Sequence, residues 1–179
     1  MTDIIKHRQI VADDAQLIRL NEDGSFAELP AAGRVIVPLK QWLAQRDALK
    51  ARGEVGVWLA SDEEAEAIAD DIDQLALIAL DFPAFIDGRN YSNARLLRDR
   101  FGYKGELRAI GDVFKDVILY MKRCGFDAFA VRADKDIHEA LKGWMTLPSI
   151  TRRPPMNPCR YSAAAPERQG STQKKRGTP

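Results

Sequence analysis

The hydrophobic pattern changes about a third of the way along the chain. Before that point, short apolar runs at residues 10–11, 17–20 and 35–37 are separated by polar turns, which predicts short antiparallel strands. Residues 40–52 then have the apolar spacing of a helix, and a glycine follows directly. We therefore expect residues 1–53 to form a small N-terminal antiparallel β-unit and one helix, packed on the main domain.

Four apolar strand patterns, each followed by a helical pattern, fill the next part of the chain. The predicted strands are residues 55–60, 75–80, 106–110 and 126–131, and the predicted helices are residues 61–73, 92–101, 113–124 and 135–145. The second strand is apolar at every position, which is typical of a strand covered on both faces. Ser61 and Glu64 have the spacing of a capping box. Ser92 can cap the second helix, and Gly125 can end the third.

These patterns predict an α/β fold with a mostly parallel sheet, built from about four βα units in residues 54–150. Right-handed crossover connections make the strands of such units parallel. Four units do not close an eight-stranded barrel, so two arrangements remain. One is an open three-layer sheet, which we favour, and the other is a half-barrel-like sheet completed by the N-terminal strands or by a second chain. Because uncovered sheet edges must be managed, a homodimer is also open.

The sequence changes character again in residues 151–179. This segment opens with a proline-rich stretch that cannot continue a helix, and it ends in a polar stretch with a basic run at residues 174–176. Without an apolar anchor, such a composition predicts a flexible, disordered tail. The alternative is an electrostatic docking segment that uses the basic run.

Composition narrows the functional classes. The 179 residues are 45% hydrophobic and 30% charged, which fits a soluble globular protein, and the formal net charge is only +1. No global basic field supports binding to nucleic acid or to a membrane, and no apolar run approaches the roughly 20 residues that span a bilayer. The N-terminus lacks a signal-peptide pattern, and Cys124 and Cys159 are poorly placed for a structural disulfide. We therefore expect a cytoplasmic protein.

Arginines and aspartates occur in the loops that follow the predicted strands. The carboxyl ends of parallel strands are where α/β folds bind ligands. Asp87-Gly88-Arg89 follows the second predicted strand, and Ser92 caps the next helix without adding a negative charge that would compete with an anion. Asp87-Gly88-Arg89, beside this helix start, is our first choice for ligand contact, and Ser92 belongs to the same candidate site.

Arg108 is the most informative position, because it lies in a short strand between two apolar residues. A buried guanidinium needs an anionic partner. That partner is either a carboxylate in an internal salt-bridge network, with Glu106, Asp87 and Asp112 as candidates, or a bound anion.

In the bound-anion interpretation, Arg108 joins Arg89 and Arg132 in a pocket at the strand ends. Guanidinium groups suit flat or tetrahedral oxyanions, because they donate two parallel hydrogen bonds. Asp112 belongs to the same candidate site. Its carboxylate can also cap the helix that follows, and it would then occupy amides that an anion would otherwise use.

Other kinds of chemistry have less support in the sequence. Asp81, Asp87, Asp112 and Asp134 follow strands and have the oxygen ligands that Mg²⁺ prefers. Capping and turn formation explain Asp112 and Asp134 without a metal, so we predict no metal site. No glycine-rich dinucleotide or phosphate-binding motif is present, so the cofactor, if there is one, is unknown. Cys124 lies on an apolar helical face, where a cysteine is more often inert than nucleophilic.

Over about residues 55–150, a series of short motifs occurs in a distinctive order. They are residues 82–89, Tyr91-Ser92, Leu97-Arg98, Gly102-Tyr103, residues 105–109, residues 111–113 and residues 123–129. The series resembles a bacterial domain-of-unknown-function family, the one numbered 934, whose members are often labelled "probable oxidoreductase". Members are typically encoded beside assimilatory sulfite or nitrite reductase genes, so the resemblance implies a role in sulfur assimilation. It brings no established catalytic residues.

Three functions follow from these observations. The leading hypothesis is an accessory protein of assimilatory sulfite reduction, with an Arg-lined pocket at the strand carboxyl ends that binds a small oxyanion or an anionic metabolite. The second is an oxidoreductase whose cofactor or electron-transfer partner has no recognisable motif. The third is a non-catalytic interaction module that docks on a sulfite or nitrite reductase.

Overall fold

The structure is a computed structural model that describes residues 2–21 and 23–145. Its strands are β1 (Asp3–Lys6), β2 (Gln9–Ala12), β3 (Ala15–Leu17), β4 (Arg34–Pro38), β5 (Val55–Leu59), β6 (Leu77–Phe82), β7 (Glu106–Gly111) and β8 (Ala128–Phe129). Its helices are α1 (Leu39–Ala44), α2 (Arg46–Arg52), a 3₁₀ helix (Ala65–Gln74), α3 (Arg89–Arg95) with a π-helical turn (Leu96–Arg100), α4 (Lys115–Cys124) and α5 (Ile137–Met145). The predicted tail, residues 151–179, lies outside the described residues. Within the described part of the chain, none of the helices has the length and apolar character needed to span a membrane.

The eight strands form one sheet in the order β2-β1-β8-β7-β6-β5-β4-β3. From β3 to β8 all neighbouring strands are parallel, whereas β1 pairs antiparallel with both β8 and β2. The predicted α/β fold with a mostly parallel sheet is therefore confirmed. The antiparallel part is the β1–β2 hairpin, while β3 and β4 extend the parallel part of the sheet.

The sheet curls into a half-barrel because the chain joins its two ends directly. Strands β2 and β3 lie at opposite ends of the strand order, yet only Asp13 and Asp14 separate them. Three peptide steps from Ala12 to Ala15 span at most about 11 Å, so the two ends of the sheet must approach each other. Of the two arrangements that the sequence left open, the structure has the half-barrel and not the open three-layer sheet that we favoured.

The two faces of the sheet are buried in different ways. On the outer face, strand side chains such as Leu80 and Leu107 pack with the helices in the main core. The inner face holds a smaller apolar cluster, whose buried members are Ala15, Ile36, Trp58, Leu77, Ala79 and Ile110. Burial on both faces explains why β6 has an almost uninterrupted apolar sequence.

The start of α3 differs from the predicted one. The helix begins at Arg89 with Gly88 at its N-cap, so Ser92 lies inside the helix and does not cap it. The Asn90 side chain donates to the carbonyl oxygen of Asp81 at 2.7 Å, which ties the first turn of the helix to the end of β6. A polar contact with the preceding strand therefore sets the start of this helix.

The start of α4 also differs, whereas its end is as predicted. Phe114 occupies the N-cap, so Asp112 does not cap the helix. The Asp112 amide instead donates to the carbonyl oxygen of Phe82 at 2.7 Å and prolongs the contact between β6 and β7. Gly125 ends the helix in the left-handed conformation, with φ 109°, which confirms the predicted stop.

The predicted capping box and the single helix over residues 40–52 are wrong. The 3₁₀ helix begins only at Ala65, because the Glu63 carboxylate first closes a turn by accepting a hydrogen bond from the Ala60 amide at 2.8 Å. In the N-terminal region, Gln45 leaves the helical conformation, with φ −123° and ψ 27°, and so divides the predicted helix into α1 and α2.

Candidate functional site

Arg108 lies in an ion-pair network on the inner face of the half-barrel. Because side chains alternate along a strand, Leu107 and Ala109 face the helices while Arg108 faces inward, with 1% of its side chain exposed. Its Nε donates to Glu106 Oε1 at 2.8 Å, and its Nη1 donates to Asp13 Oδ1 at 2.7 Å. The guanidinium is thus held by two carboxylates from separate parts of the chain.

Lys6 completes this network by donating from Nζ to Glu106 Oε2 at 2.5 Å. Burial would raise the pKa of Glu106, but the hydrogen bond from Lys6 and the charge of Arg108 outweigh burial and hold that pKa below its ordinary value. Two cations therefore face two carboxylates, Glu106 and Asp13. This arrangement is the internal salt-bridge interpretation of Arg108, and it needs no bound anion.

Arg89 and Asp87 form a second, separate cluster after β6. Arg89 donates to Asp87 through Nε at 3.0 Å and through Nη2 at 2.7 Å, and its Nη2 also donates to Ser61 Oγ at 2.8 Å. The hydrogen bond from Arg89 holds the pKa of Asp87 well below its usual range. The side of the guanidinium best suited to an oxyanion is thus occupied by a carboxylate of the same loop.

Arg132 is the centre of a third cluster, after β8. Its Nη1 donates to Asp112 Oδ1 at 2.6 Å, while its Nε and Nη2 donate to the two oxygens of Asp134 at 2.5 and 2.8 Å. The hydrogen bond from Arg132 lowers the pKa of Asp134 to about 2. The cluster borders a hollow of about 510 Å³ that is also lined by Phe85 and Phe114.

The structure does not bring the predicted ligand residues into one pocket. Each of the three arginines is neutralised by at least one carboxylate, which reduces its attraction for a further anion. The seven predicted residues occupy four separate places: the Asp87-Gly88-Arg89 cluster, the Asp112–Arg132 pair, Arg108 on the inner face and Ser92 on α3.

A cationic groove that we did not predict lies between α4 and α3 with its π-helical turn. The groove has a volume of about 570 Å³ and includes Ser92. Arg95, Arg100 and Arg123 line it, with Asp99 as its acidic residue. We call it the α3–α4 groove, and its excess of arginines favours an anionic occupant.

The groove arginines are less engaged than those at the strand ends. Arg95 lies 3.5 Å from Asp99, and Arg100 lies 3.7 Å from Glu66, both on exposed side chains. The Arg123 side chain has no ion pair or hydrogen bond within the described residues. Exposed ion pairs of this length contribute little energy, so a ligand can replace them at small cost.

The π-helical turn explains why the sequence did not reveal this groove. The Phe101 amide donates to the carbonyl oxygen of Leu96, five residues earlier, at 3.1 Å. Such a turn places residues five apart on nearly the same side, so Arg95 and Arg100 both reach the groove. In a regular α-helix these two positions point in different directions. No pattern of residue types in the sequence predicts the change from an α-helix to a π-helical turn.

Aromatic rings and a cysteine lie behind the arginines. The Tyr91 and Tyr120 rings meet edge to face, with centroids 4.8 Å apart. Cys124 is buried at this position, and burial raises the pKa of its thiol. A protonated, buried thiol is a poor nucleophile, which favours the inert-core interpretation of Cys124.

A further polar pair lies at the carboxyl end of the inner face. Asp81 pairs in register with Ile110 and points inward, where 14% of its side chain is exposed. The Nη2 atom of Arg19 lies 3.9 Å from Asp81 Oδ1, and the guanidinium carbon of Arg19 lies 5.5 Å from the centre of the Trp58 ring. Gly111 approaches the same carboxylate. We call Arg19, Trp58, Asp81 and Gly111 the barrel mouth.

The environment of Asp81 differs from that of a metal ligand. Burial raises the pKa of its carboxyl group, and the charged group beside it is the Arg19 cation. Among the residues that the structure describes, no three His, Cys, Asp or Glu side chains come together as a metal-binding group would require.

A family model matches residues 56–150, which is more than half of the 179 residues. The matched segment contains β6, α3, β7 and α4, and hence the whole of the α3–α4 groove. We found no match among curated proteins. The model is described as "Bacterial protein of unknown function (DUF934)", which is the family that the series of motifs resembles. The chain belongs to the DUF934 family.

Proposed function

We propose that this protein is an accessory protein of assimilatory sulfur metabolism that binds a small oxyanion or an anionic metabolite in the α3–α4 groove. The link to sulfite reduction rests on the family resemblance. The charge of the ligand rests on the groove, and the observation that carries this part is that Arg123 has no partner within the described residues while it shares the groove with two further arginines.

The groove supports anion binding better than the strand ends do. At the strand ends, Arg89 and Arg132 each donate two hydrogen bonds to one carboxylate, so an anion would have to displace a bidentate partner. In the groove, the Arg123 side chain donates no hydrogen bond to any residue that the structure describes, and Arg95 is held by one long ion pair. Tyr91 and Tyr120 supply ring surface for the less polar part of a metabolite.

Calorimetric titration with sulfite, sulfate and phosphate tests this proposal. We expect at least one anion to bind the wild type, and we expect Arg123→Ala to weaken that binding about 10- to 100-fold, since a hydrogen bond to a charged group contributes about 1.5–3 kcal/mol. Lys104→Ala is a matched control, because it removes one exposed positive charge outside the groove. Equal weakening by both substitutions, or no binding at all, would contradict a groove site.

A second candidate function is docking on a sulfite or nitrite reductase. The observation that favours it is an exposed apolar pair in the loop after β6, where 62% of Phe85 and 90% of Ile86 is accessible. Large apolar side chains side by side at a surface are typical of contact sites for other proteins. Co-purification with the reductase that is lost in Ile86→Asp would support docking through this loop. Deletion of residues 151–179 tests whether the tail takes part.

The oxidoreductase alternative remains a prediction with a direct test. Purified protein would be mixed with sulfite and NADPH, and the absorbance of the nicotinamide would be followed. Turnover that depends on the protein would favour an enzyme over an accessory role.

A further inference from the structure

The Asp81 carboxylate is largely buried on the inner face of the half-barrel, with 14% of its side chain exposed. Its side chain points into the half-barrel among apolar neighbours such as Ile110, and it accepts no hydrogen bond from the described residues. A buried carboxylate is normally hydrogen-bonded or closely paired, because removing a charge from water is costly. The nearest cation, Arg19, lies 3.9 Å away, beyond hydrogen-bonding distance.

The lack of a side chain at Gly111 allows the Asp81 carboxylate to occupy this position. A Cβ atom at Gly111 would lie 2.8 Å from Asp81 Oδ1 and closer still to the carbonyl oxygen of Phe82. Gly111 also has φ +91°, a conformation that side chains other than glycine rarely adopt. The backbone of β7 is thus shaped to leave room for the Asp81 side chain.

Arg19 is placed opposite Asp81 by Trp58. The Trp58 indole donates from Nε1 to the carbonyl oxygen of Ile18 at 2.8 Å, which fixes the backbone next to Arg19. The Arg19 guanidinium lies over the same ring, while 57% of its side chain remains exposed. A positioned donor group therefore faces a carboxylate that accepts no hydrogen bond from the described residues.

The charges of this pair select among small ligands. A metal cation would meet the positive charge of Arg19, and a fully deprotonated anion would place its charge against Asp81 without a hydrogen to share. An oxyanion that keeps a proton satisfies both groups, because an anionic oxygen accepts from Arg19 and its O–H donates to Asp81. We propose that Asp81 and Arg19 bind a small protonated oxyanion, such as hydrogensulfite, bicarbonate or dihydrogenphosphate, at the barrel mouth. This site is separate from the α3–α4 groove.

Calorimetry at mildly acidic pH tests this proposal on the full chain. Hydrogensulfite and dihydrogenphosphate carry a proton there, whereas nitrate and sulfate do not. The measurements use Arg123→Ala as the background, so that the groove does not contribute. We expect the protonated anions to bind this variant, and we expect their binding to be at least 10-fold weaker when Arg19→Ala is added. Arg34→Ala removes a half-buried arginine of β4 that pairs with Asp14, and it should leave this binding unchanged.

Asp81→Asn gives a result that a purely structural residue would not give. The asparagine side chain donates an N–H where the carboxylate accepted a hydrogen bond, so the preference should reverse and sulfate should bind better than in the wild type. Asp14→Asn is the matched control, because its side chain is exposed and it precedes β3, whereas Arg19 follows that strand at its other end. Should Asp81→Asn fail to fold, Arg19→Ala still decides, since its side chain lies mostly in solvent.

The outcomes separate this site from the groove. Binding that survives Arg123→Ala but not Arg19→Ala assigns the anion to the barrel mouth. With groove binding disabled by Arg123→Ala, the proposal is overturned if nitrate and sulfate bind as well as hydrogensulfite does, if none of the protonated anions binds, or if the addition of Arg19→Ala leaves their binding unchanged.

Discussion

Arg108 and Asp13 form an ion pair, 2.7 Å between Nη1 and Oδ1, that links strand β7 in the middle of the sheet to the short connection between its two ends. Asp13 and Asp14 are all that separates β2 from β3. The carboxylate of Asp13 reaches inward across the half-barrel and meets a guanidinium that Glu106 also holds. The ion pair thus secures the closure of the curled sheet.

Removing Arg108 should therefore destabilise the protein strongly. Arg108→Ala leaves Asp13 and Glu106 partly buried without their shared cation, and breaking a buried pair in this way typically costs about 3–5 kcal/mol. Urea unfolding followed by circular dichroism measures the change. Arg34→Ala, which breaks a single partly exposed ion pair with Asp14, should cost at most about 1 kcal/mol. Similar losses in the two variants would contradict the closure role.

The ion-pair network of Arg108, Asp13 and Glu106 should make the free energy of unfolding depend on pH. The folded-state pKa of Glu106 is lowered from its ordinary value of 4.5. The stabilising contribution is therefore fully present above pH 4.5, and it disappears as the pH falls through the lowered folded-state value. Unfolding free energies of wild type and Glu106→Gln, measured across this range, should differ most at neutral pH and converge in acid. A constant difference at every pH would contradict the expected linkage.

The ionisation of Asp81 should make stability depend on pH in the opposite direction. Burial raises its folded-state pKa above the ordinary value of 3.8, so its contribution to stability is greatest below that value and is lost as the pH rises through the raised one. Asp81→Asn removes the buried charge, and we expect its melting temperature to exceed that of the wild type at neutral pH. The excess should shrink on acidification. A variant that melts below the wild type at neutral pH would mean that Asp81 has a stabilising role in the fold.

Gly111 offers a test of the crowding at the barrel mouth. Gly111→Ala adds a Cβ that collides with the backbone of Phe82 and with Asp81, in addition to the strain of φ +91°. Gly24→Ala is the matched control, because Gly24 has φ +77° and no atom would lie within 4 Å of the added Cβ. The control should cost about 1–2 kcal/mol from strain alone, and Gly111→Ala should cost clearly more. Thermal unfolding of both variants gives the comparison.

The βα units and the class of the fold could be predicted because their apolar runs are long enough to identify each strand. The curl of the sheet could not, because its cause is a connection of two residues. Asp13-Asp14 has the sequence of a polar turn, and the same residues serve equally well as a link between two strands at opposite ends of a sheet. Whether such a link reverses the chain is decided by which strands pair, and pairing is not a local property.

The candidate site, like the fold, was predictable only in part. The apolar neighbours of Arg108 correctly required an anionic partner, and Glu106 was among the candidates. Asp13 could not be identified, since it lies 95 positions away in the sequence. The α3–α4 groove depends on a π-helical turn that brings Arg95 and Arg100 to one side, and no propensity of the residues in that turn indicates it.

The most direct test of the proposed function is to observe which arginine side chains respond to the anion. Nitrogen-15 NMR of the guanidinium Nε–H groups would be recorded while sulfite is added. We predict that the signals of Arg95 and Arg123 shift in a saturable way, while those of Arg89 and Arg132 remain unchanged. Shifts confined to Arg89 and Arg132, or no saturable shift in any arginine, would contradict anion binding in the α3–α4 groove.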